Sequence, residues 1–234
     1  YDSNITTQTA TDLNSKINST LQAYNTTNLN TFNAPFRHSQ LTGDIDDTDN
    51  SILMNTTTVT MAKLFTPTTT GSTSYTINFN NAFYHPVDGY QNTIIASTGF
   101  YIEGGTTEYF FDDDGSGNLR IYSIAVGVRT YYSVTAGTVD YVNGLITING
   151  VLISSTSNID GSASTQIRIT ALSDSNDVIP VRNQLLEIDF ANSTITAKVD
   201  AAATTGIGYT TTTTGTTTST TVNTTSSTTT SSSY

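Results

Sequence analysis

Strand-length segments separated by turn residues run through most of this chain, and they constrain its fold more than any other feature. Between residues 52 and 199 they recur roughly every 8–15 residues, with Gly, Asn, Asp and Pro between them. This spacing favours an antiparallel sandwich or meander over alternating βαβ units. In Tyr75–Asn80, apolar and polar residues alternate as in a half-buried strand. The other predicted strand segments are 52–65, 93–102 with a break at 97–99, 107–111, 118–126, 129–134, 138–142, 145–148, 151–153, 166–172, 185–190 and 193–199.

Two turn sequences predict β-hairpins. Asn143-Gly144 separates two strand segments, and Asn-Gly is a strong signal for a hairpin turn. The acidic run 112–117 separates two further segments and begins like a calcium-binding loop. Such a loop ends in a bidentate Glu, but Ser123 occupies that position here. A solvated hairpin turn is therefore the preferred interpretation, and an adventitious cation site is the alternative.

Residues 9–32 predict one amphipathic helix. Thr9 and Asp12 are placed as a capping pair at its start. The opposite face carries Asn, Ser, Thr and Gln, which are mediocre helix formers, so the helix must be held by packing on its own domain or on another chain. Apolar residues recur at helical spacing along the other face: Leu13, Ile17, Leu21, Tyr24 and Phe32.

The segment 30–67 joins this helix to the strands. Asn33-Ala34-Pro35 is expected to stop the helix, because proline lacks an N–H group and disfavours α-helical geometry in the residue before it. The next feature is predicted to be a short acidic loop. A plain solvated loop is preferred for it, and a divalent cation site is the alternative. Its acidic residues are Asp44, Asp46, Asp47 and Asp49.

Residues 201–234 are low in complexity and consist mostly of Thr and Ser. They offer too little apolar surface to offset the entropy of ordering, which predicts a flexible or extended tail. Because Thr favours strands, an arm that orders on a neighbouring subunit stays open as the alternative. The predicted fold is α+β and mainly β. It comprises a helical segment with its junction (1–51), a β-rich region (52–200) and the tail (201–234).

Composition excludes several classes of function. The net charge is −11, and eight Lys plus Arg spread along the chain make no basic face for nucleic acid or for an anionic membrane. No apolar run is long enough to span a bilayer. The absence of cysteine excludes disulfides, thiolate metal sites and cysteine nucleophiles.

Catalytic constellations are also poorly supported. The only histidines are His38 and His85, and no G-x-S-x-G sequence supplies a nucleophile. The only glutamates are Glu103, Glu108 and Glu187, and tryptophan, a common sugar platform, is absent. We therefore expect no catalytic residue, no metal ligand, no cofactor and no small-molecule substrate, and we expect that the protein is not an enzyme.

Spaced pieces of the sequence resemble the large wedge subunit of T-even-type contractile phage baseplates, the baseplate J-like protein called gene product six. The resemblance covers about residues 5–200, and its wedge family has a structural role. The pieces are Leu29-x-x-Phe32-x-x-x-Phe36-Arg37-x-Ser39-x-Leu41, Ile45-Asp46, Asp49-x-Ser51-Ile52, Met61-x-Lys63, Tyr75-x-Ile77-x-Phe79-x-Asn81, the acidic turn followed by Arg120-Ile121-Tyr122, Ala136-Gly137-Thr138-Val139-Asp140-Tyr141-x-x-Gly144 and Val178-Ile179-Pro180-Val181-Arg182-Asn183-Gln184.

The resemblance implies the C-terminal part of a virion protein that is assembled in the host cytoplasm. Two copies associate in each wedge, and wedges join with other wedge subunits into a ring around the tail hub that changes shape when the sheath contracts. The Thr/Ser tail departs from this pattern. The alternative function is a tail-fibre or cell-surface adhesion module that binds a receptor or glycan. The interface candidates are Leu13, Ile17, Leu21, Tyr24, Phe32, Phe36, Arg37, Tyr131, Tyr132 and Tyr141.

Overall fold

The computed structural model describes residues 1–200 together with the backbone of two later strands, 210–214 and 219–223. The rest of the Thr/Ser tail lies outside the described residues. The chain forms two compact units, and neither is a single stretch of sequence. The first contains Tyr1–Asn25, Ser39–Thr57 and the chain from Asn192, and the second contains Thr26–His38 and Thr58–Ala191. The three-part division of the sequence stays a prediction.

The first helix, α1 (Ala10–Tyr24), begins at the predicted cap. The Asp12 N–H donates to the Thr9 hydroxyl oxygen at 3.2 Å, and the Thr9 N–H donates to the Asp12 carboxylate at 2.9 Å. Together they form a reciprocal capping box. A π-helical turn, Asn25–Leu29, follows α1. The predicted helix is confirmed over most of its length, but its extension to Phe32 is wrong. That side chain lies beyond the helical residues and is 70% exposed.

A second helix, α2 (His38–Asp46), replaces part of the predicted acidic loop. Leu41 and Ile45 lie one turn apart and are both buried, so burial of one apolar stripe stabilises helix where the aspartates suggested a loop. Asp44 and Asp46 are therefore helical residues, which corrects the loop prediction. Across the described residues, neither helix has the length and apolar character needed to cross a membrane.

The second unit contains a ten-stranded sheet whose pairings are all antiparallel. The main order is β1-β10-β3-β5-β6-β7-β8-β2, and β4 pairs with β5 and β9. This architecture, with the N-terminal helix, confirms the predicted mainly β fold class. The strands are β1 (Thr60–Phe65), β2 (Thr73–Asn78), β3 (Ile95–Ser97), β4 (Phe100–Ile102), β5 (Glu108–Asp113), β6 (Asn118–Ala125), β7 (Val128–Asp140), β8 (Leu145–Val151), β9 (Ile153–Thr156) and β10 (Ile167–Leu172).

The core of the second unit is made by inward-facing residues of nearly every strand. Phe100 of β4 and Phe111 of β5 are fully buried and stack with their ring centroids 4.4 Å apart. In β10 the residues Ile167, Ile169 and Ala171 are fully buried and alternate with partly exposed ones, as the pleat requires. Nonpolar burial on one face therefore holds strands that lie far apart in sequence.

Both predicted hairpins are present, as the pairs β5–β6 and β7–β8. The β7–β8 loop contains four residues, because Asp140 is paired with Leu145. Asp140 accepts hydrogen bonds from the backbone N–H and side-chain amide of Asn143 at 3.0 and 2.7 Å. Gly144 has φ of 63°, and a Cβ there would lie 1.9 Å from the Asn81 carbonyl oxygen. Glycine is thus required by both backbone geometry and close approach.

The predicted segments 185–190 and 193–199 are not strands, and the predicted segment 52–65 forms a strand only from Thr60. Met54 is 72% exposed, Leu185 is 44% exposed and Val199 is 48% exposed. Alternation favours a strand only when a neighbouring strand supplies the ladder of hydrogen bonds, and these segments have no such neighbour among the described residues. The backbone of the tail segments Thr210–Thr214 (β11) and Ser219–Asn223 (β12) forms a separate antiparallel pair.

Candidate interaction site

The first carboxylate of the acidic run lies at the centre of an ion-pair network in the β5–β7 part of the sheet. Asp112 is 1% exposed and accepts from Arg120 Nε at 2.9 Å and Nη2 at 3.1 Å. Arg129 Nη1 donates to the same carboxylate at 2.9 Å, and the Tyr131 hydroxyl donates at 3.2 Å. Burial lowers the pKa of Arg120, but the bonded Asp112 outweighs that effect and leaves the pKa above its usual value. One buried carboxylate is thus paired with two guanidinium groups.

Arginine and tyrosine side chains alternate beside this carboxylate. The Arg120 guanidinium lies 4.4 Å from the Tyr131 ring centroid, and the Arg129 guanidinium lies 4.5 Å from the Tyr122 ring centroid. Such cation–π contacts contribute about 0.5–2 kcal/mol each, more when desolvated. Phe110 extends the group, with its ring 5.6 Å from that of Tyr122. This Arg/Tyr ladder therefore fixes β6 and β7 to each other at the level of Asp112.

The second carboxylate, that of Asp113, is buried in the core of the second unit. Asp113 is fully buried and accepts from the backbone N–H groups of Ile94 and Ile95 at 2.8 and 2.9 Å. The Tyr141 hydroxyl also donates to it at 2.9 Å. Burial and the neighbouring Asp113 charge raise the pKa of Tyr141, so this hydroxyl keeps its proton as a donor. A buried carboxylate with three donors is a structural anchor between β5, the start of β3 and the end of β7.

The third carboxylate shapes the turn. Asp114 accepts from the backbone N–H groups of Ser116 and Asn118 at 2.7 and 3.0 Å, and from the Asn118 amide at 2.7 Å. Burial opposes ionisation, but these bonds hold the pKa of Asp114 below its usual value. All three acidic side chains of the run are therefore engaged by donors of the chain itself. Within the described residues, no group of three or more His, Asp or Glu side chains is arranged to hold a metal ion.

A two-stranded projection extends beyond these contacts. We define the β6–β7 arm as residues 123–134. β5 pairs with β6 only as far as Ser123, and β8 pairs with β7 only from Gly137 onward. In the described part of the chain, six of the sixteen exposed large hydrophobic residues belong to this arm: Ile124, Val126, Val128, Tyr131, Tyr132 and Val134. Exposed apolar clusters of this kind mark interaction sites.

His85 lies in an open pocket of about 310 Å³. Its ring stacks on that of Tyr141 with centroids 4.4 Å apart, and its Nε2 lies 2.9 Å from the Gly115 carbonyl oxygen. Asp88 and Ser116 also line the pocket. His85 thus helps to hold residues 84–91 against the acidic turn.

The junction residues are anchored to a single carboxylate. Arg37 Nη1 donates to Asp177 Oδ2 at 2.9 Å, and the His38 backbone N–H donates to Asp177 Oδ1 at 2.9 Å. These bonds hold the pKa of Asp177 below its usual value, with the His38 backbone contributing most. Phe36 is 8% exposed and forms an isolated antiparallel bridge with Val178. Residues 36–38 are thus held against residues 177–178.

The other interface candidates are distributed between interior and surface. Leu13, Leu21 and Tyr24 are buried and Ile17 is half-buried, so the chain itself covers most of the helical stripe. Tyr141 is half-buried against Asp113 and His85. The candidates with more than a third of their surface exposed are Phe32, Arg37, Tyr131 and Tyr132. Their role at an interface stays a prediction, and the structure brings only the last two together.

The ion-pair network itself was not predicted from the sequence. A hairpin was predicted here, but with Asp112 in its turn; in the structure Asp112 belongs to β5 and is paired with Arg120 of β6. The contribution of Arg129 could not be derived in this way. It depends on a shift in the β6–β7 register between Ile121 and Tyr122, which re-aims the side chains of β7.

One known family model matches the N-terminal part of the chain. Residues 1–64 match the family model described as baseplate structural protein gp6, C-terminal domain III. This match supports a phage baseplate protein. It covers α1, the π-helical turn, α2 and part of β1, whereas the pieces of resemblance beyond residue 64 lie outside the matched range. No curated protein matches the chain.

Proposed function

We propose that this chain is a structural subunit of a phage tail baseplate wedge and corresponds to the C-terminal part of the gp6-type, baseplate J-like wedge protein. It forms dimers and, with other wedge subunits, ring contacts around the tail hub during virion assembly in the host cytoplasm and during sheath contraction. The observation that carries this proposal is the match of residues 1–64 to the gp6 C-terminal domain III.

Side-chain contacts tie the elements of the matched residues 1–64 to each other. In the first unit, Lys16 of α1 donates to Asp49 at 2.8 Å, and the Thr20 and Thr48 hydroxyls are 2.9 Å apart. Lys16 and Ser51 lower the pKa of Asp49 to about 2, so this ion pair persists through the neutral range. A subunit that transmits force during contraction needs its elements tied in this way.

The acidic residues of the second unit support the same interpretation. Asp112, Asp113 and Asp114 each accept donors from the chain and thereby fix strands and turns. The exposed Tyr and Val side chains of the β6–β7 arm provide contact area, and the tyrosines add a polar tip, which suits protein interfaces. We propose accordingly that the protein works without catalysis, metal, cofactor or small-molecule substrate, and that it contacts neither nucleic acid nor membrane.

Co-assembly tests this function. The chain is co-expressed with the products of the neighbouring reading frames, purified through a tag on one neighbour, and imaged in negative stain. We expect the chain to co-purify in a fixed ratio and to appear in wedge-like or ring-like particles. Elution of the chain by itself, combined with measurable affinity for a glycan, would overturn the proposal in favour of an adhesion module.

A matched pair of variants sharpens this test. Phe32 is 70% exposed at the end of the matched helical segment, and Val142 is 80% exposed in the β7–β8 loop. Phe32→Ser should weaken co-purification, whereas Val142→Ser should leave it unchanged. Both variants should keep the wild-type melting temperature, because neither side chain contributes to the core.

A further inference from the structure

We propose that the β6–β7 arm binds a different protein subunit through the face that carries Ile124, Arg129 and Tyr131, and that the bound segment presents a carboxylate flanked by apolar side chains. The carboxylate pairs with Arg129, and the apolar flanks cover Ile124 and Tyr131. The inference rests on the proposed structural function and names one contact surface of the assembly, together with the chemistry of the partner.

The register places these three side chains on one side of the arm. Arg129 is paired with Ile124, so both point to the same face of the two-stranded ribbon. Tyr131 lies two residues after Arg129 on β7 and therefore shares that face. Ile124 is 53% exposed, Tyr131 is 38% exposed and the Arg129 side chain is 49% exposed. The face thus combines one accessible cation with apolar surface beside it.

The ion-pair group on this face carries one positive charge in excess. Two guanidinium groups, those of Arg120 and Arg129, face the single carboxylate of Asp112, and the stretch 115–139 contains no Asp or Glu. Asp113, the next residue of β5, points to the opposite side of the sheet. Arg120 is 19% exposed and also donates to the Asp113 carbonyl oxygen at 2.6 Å, so it serves the fold. The excess charge is therefore presented to solvent by Arg129.

Arg129 keeps donors for a partner. Its Nη1 donates to Asp112 at 2.9 Å, and in the part of the chain that the structure describes its side chain forms no other hydrogen bond. The guanidinium also lies 4.5 Å from the Tyr122 ring centroid. A guanidinium carries five N–H donors in a planar fork that matches a carboxylate. The bracing by Asp112 and Tyr122 orients Arg129 before binding, which lowers the entropy lost when the carboxylate binds.

The tip of the arm gives an independent indication of a contact. Val126 lies two residues beyond Ile124, is fully exposed and has φ of 51°, in the left-handed region. A β-branched residue is an outlier there, and because Gly127 also has positive φ, this turn geometry favours Asn-Gly. The valine therefore costs stability in the free chain. Residues kept in such conformations cluster at binding sites, and a partner that covers Val126 accounts for its apolar side chain.

Charge selects the occupant of this face. A guanidinium with unpaired donors favours a carboxylate and repels a basic segment, and the apolar residues beside it favour a protein segment over a free anion. A second copy of this chain is disfavoured, because its net charge of −11 adds repulsion outside the contact. The occupant is thus a different subunit with an acidic and partly apolar segment.

Co-purification with the products of the neighbouring reading frames, measured at rising NaCl concentration, tests the role of charge. Arg129→Gln should weaken the apparent affinity about tenfold and flatten its dependence on salt, because the pairing with a carboxylate is lost. Lys198→Gln removes the same charge from an exposed position in the first unit and should change neither quantity. Equal affinity and equal salt dependence of wild type and Arg129→Gln would overturn the proposal.

Two further variants address the apolar part of the contact. Ile124→Ser should weaken co-purification, whereas Val142→Ser, on an exposed loop, should leave it unchanged. Val126→Asn should raise the melting temperature of the chain, because asparagine tolerates the left-handed region, and should weaken co-purification at the same time. Normal co-purification of both Ile124→Ser and Val126→Asn contradicts the proposed contact.

Photo-cross-linking identifies the partner segment. Because the chain has no cysteine, Ile124→Cys places a single thiol on the face, and a benzophenone maleimide attached to it captures the neighbouring segment in the co-purified complex. We expect mass spectrometry to locate the cross-link in a different subunit, within a segment that contains Asp or Glu among apolar residues. A cross-link to a second copy of this chain, or to a neutral or basic segment, would overturn the inference.

The two proposals fail in different ways. A wild-type chain that co-assembles with its neighbours, and whose assembly none of the arm variants changes, overturns this inference and leaves the proposed function intact. A wild-type chain that does not co-assemble contradicts the proposed function, and this inference with it. Circular dichroism of each variant establishes that a loss of binding is not a loss of folding.

Discussion

Replacing Asp112 with Asn should destabilise the second unit more than any single surface change. The wild-type carboxylate is 1% exposed and accepts four hydrogen bonds from three side chains, Arg120, Arg129 and Tyr131. An asparagine keeps the shape but removes the charge, and its NH₂ group faces guanidinium donors. Breaking a buried ion pair by removing one partner costs about 3–5 kcal/mol.

The exposure of the two arginines sets how much unfolding free energy each substitution should cost. The Arg120 side chain is 19% exposed, so it cannot recover full hydration when its partner is lost. The Arg129 side chain is 49% exposed, and an ion pair to such a group contributes about 0–1 kcal/mol. We therefore expect Asp112→Asn to lower the free energy of unfolding by about 2–4 kcal/mol, and Arg129→Gln to lower it by less than about 1 kcal/mol.

Urea unfolding followed by far-ultraviolet circular dichroism measures both values, since the chain has thirteen tyrosines but no tryptophan for fluorescence. A double-mutant cycle between Asp112→Asn and Arg120→Gln should give a coupling energy of about 1–3 kcal/mol. The same cycle with Arg168→Gln, whose partner is Asp160, serves as the control and should give none. If Asp112→Asn unfolds within about 0.5 kcal/mol of wild type with an unchanged urea slope, the network does not stabilise the sheet.

Three further predictions concern local features. Lys16→Met removes the main cause that lowers the pKa of Asp49. The pKa of Asp49 in the folded chain, about 2, lies below the ordinary 3.8, so the ionised Asp49 stabilises the fold above pH 4 and loses this contribution as the pH falls toward 2. In an acid titration, the unfolding free energy of Lys16→Met should therefore fall less steeply in this range than that of the wild type. Gly144→Ala should destabilise by about 2–4 kcal/mol in urea unfolding, whereas Gly104→Ala, with positive φ but open space, should cost only about 1 kcal/mol; equal costs would contradict the close approach. Thr9→Ala should lower the unfolding free energy by about 1 kcal/mol through loss of the capping box, and an unchanged melting temperature would count against that box.

The hairpins could be predicted from sequence because their determinants are local. The turn residues 114–117 and Asn143-Gly144 lie between strands that pair with their immediate neighbours, so chain connectivity brings the partners together. The β3/β4 break at 97–99 was readable for the same reason. The Thr9 cap and the α1 stripe were likewise set by residues within one or two turns.

Long-range pairing could not be predicted. The order of the sheet places β10 between β1 and β3, and residues about 70 to 110 positions apart form those ladders. The wrong strand predictions at 185–190 and 193–199 have the same origin. An alternation of apolar and polar residues does not show whether a neighbouring strand exists. The helical assignment of Asp44 and Asp46 depended on the burial of Leu41 and Ile45, which only tertiary packing supplies.

The candidate interaction site was also predictable from the sequence only in part. Tyr131 and Tyr132 were predicted as interface candidates from their type, and the sequence placed them on a strand. It could not show that β6 and β7 extend together beyond β5 and β8, or that Arg129 contacts Asp112 across a shifted β6–β7 register. Exposure and bracing are properties of the arrangement of strands.

The sequence by itself determined the chemical limits of this protein: an acidic, cysteine-free chain of short strands and tight turns, with a capped amphipathic helix at its start. These properties depend on residue type and local spacing, which the chain carries before it folds. The tertiary structure alone decided which carboxylates are buried, which strands pair and which apolar face is left open on the β6–β7 arm. Burial and exposure are set by neighbours distant in sequence, and only the folded chain brings those neighbours together.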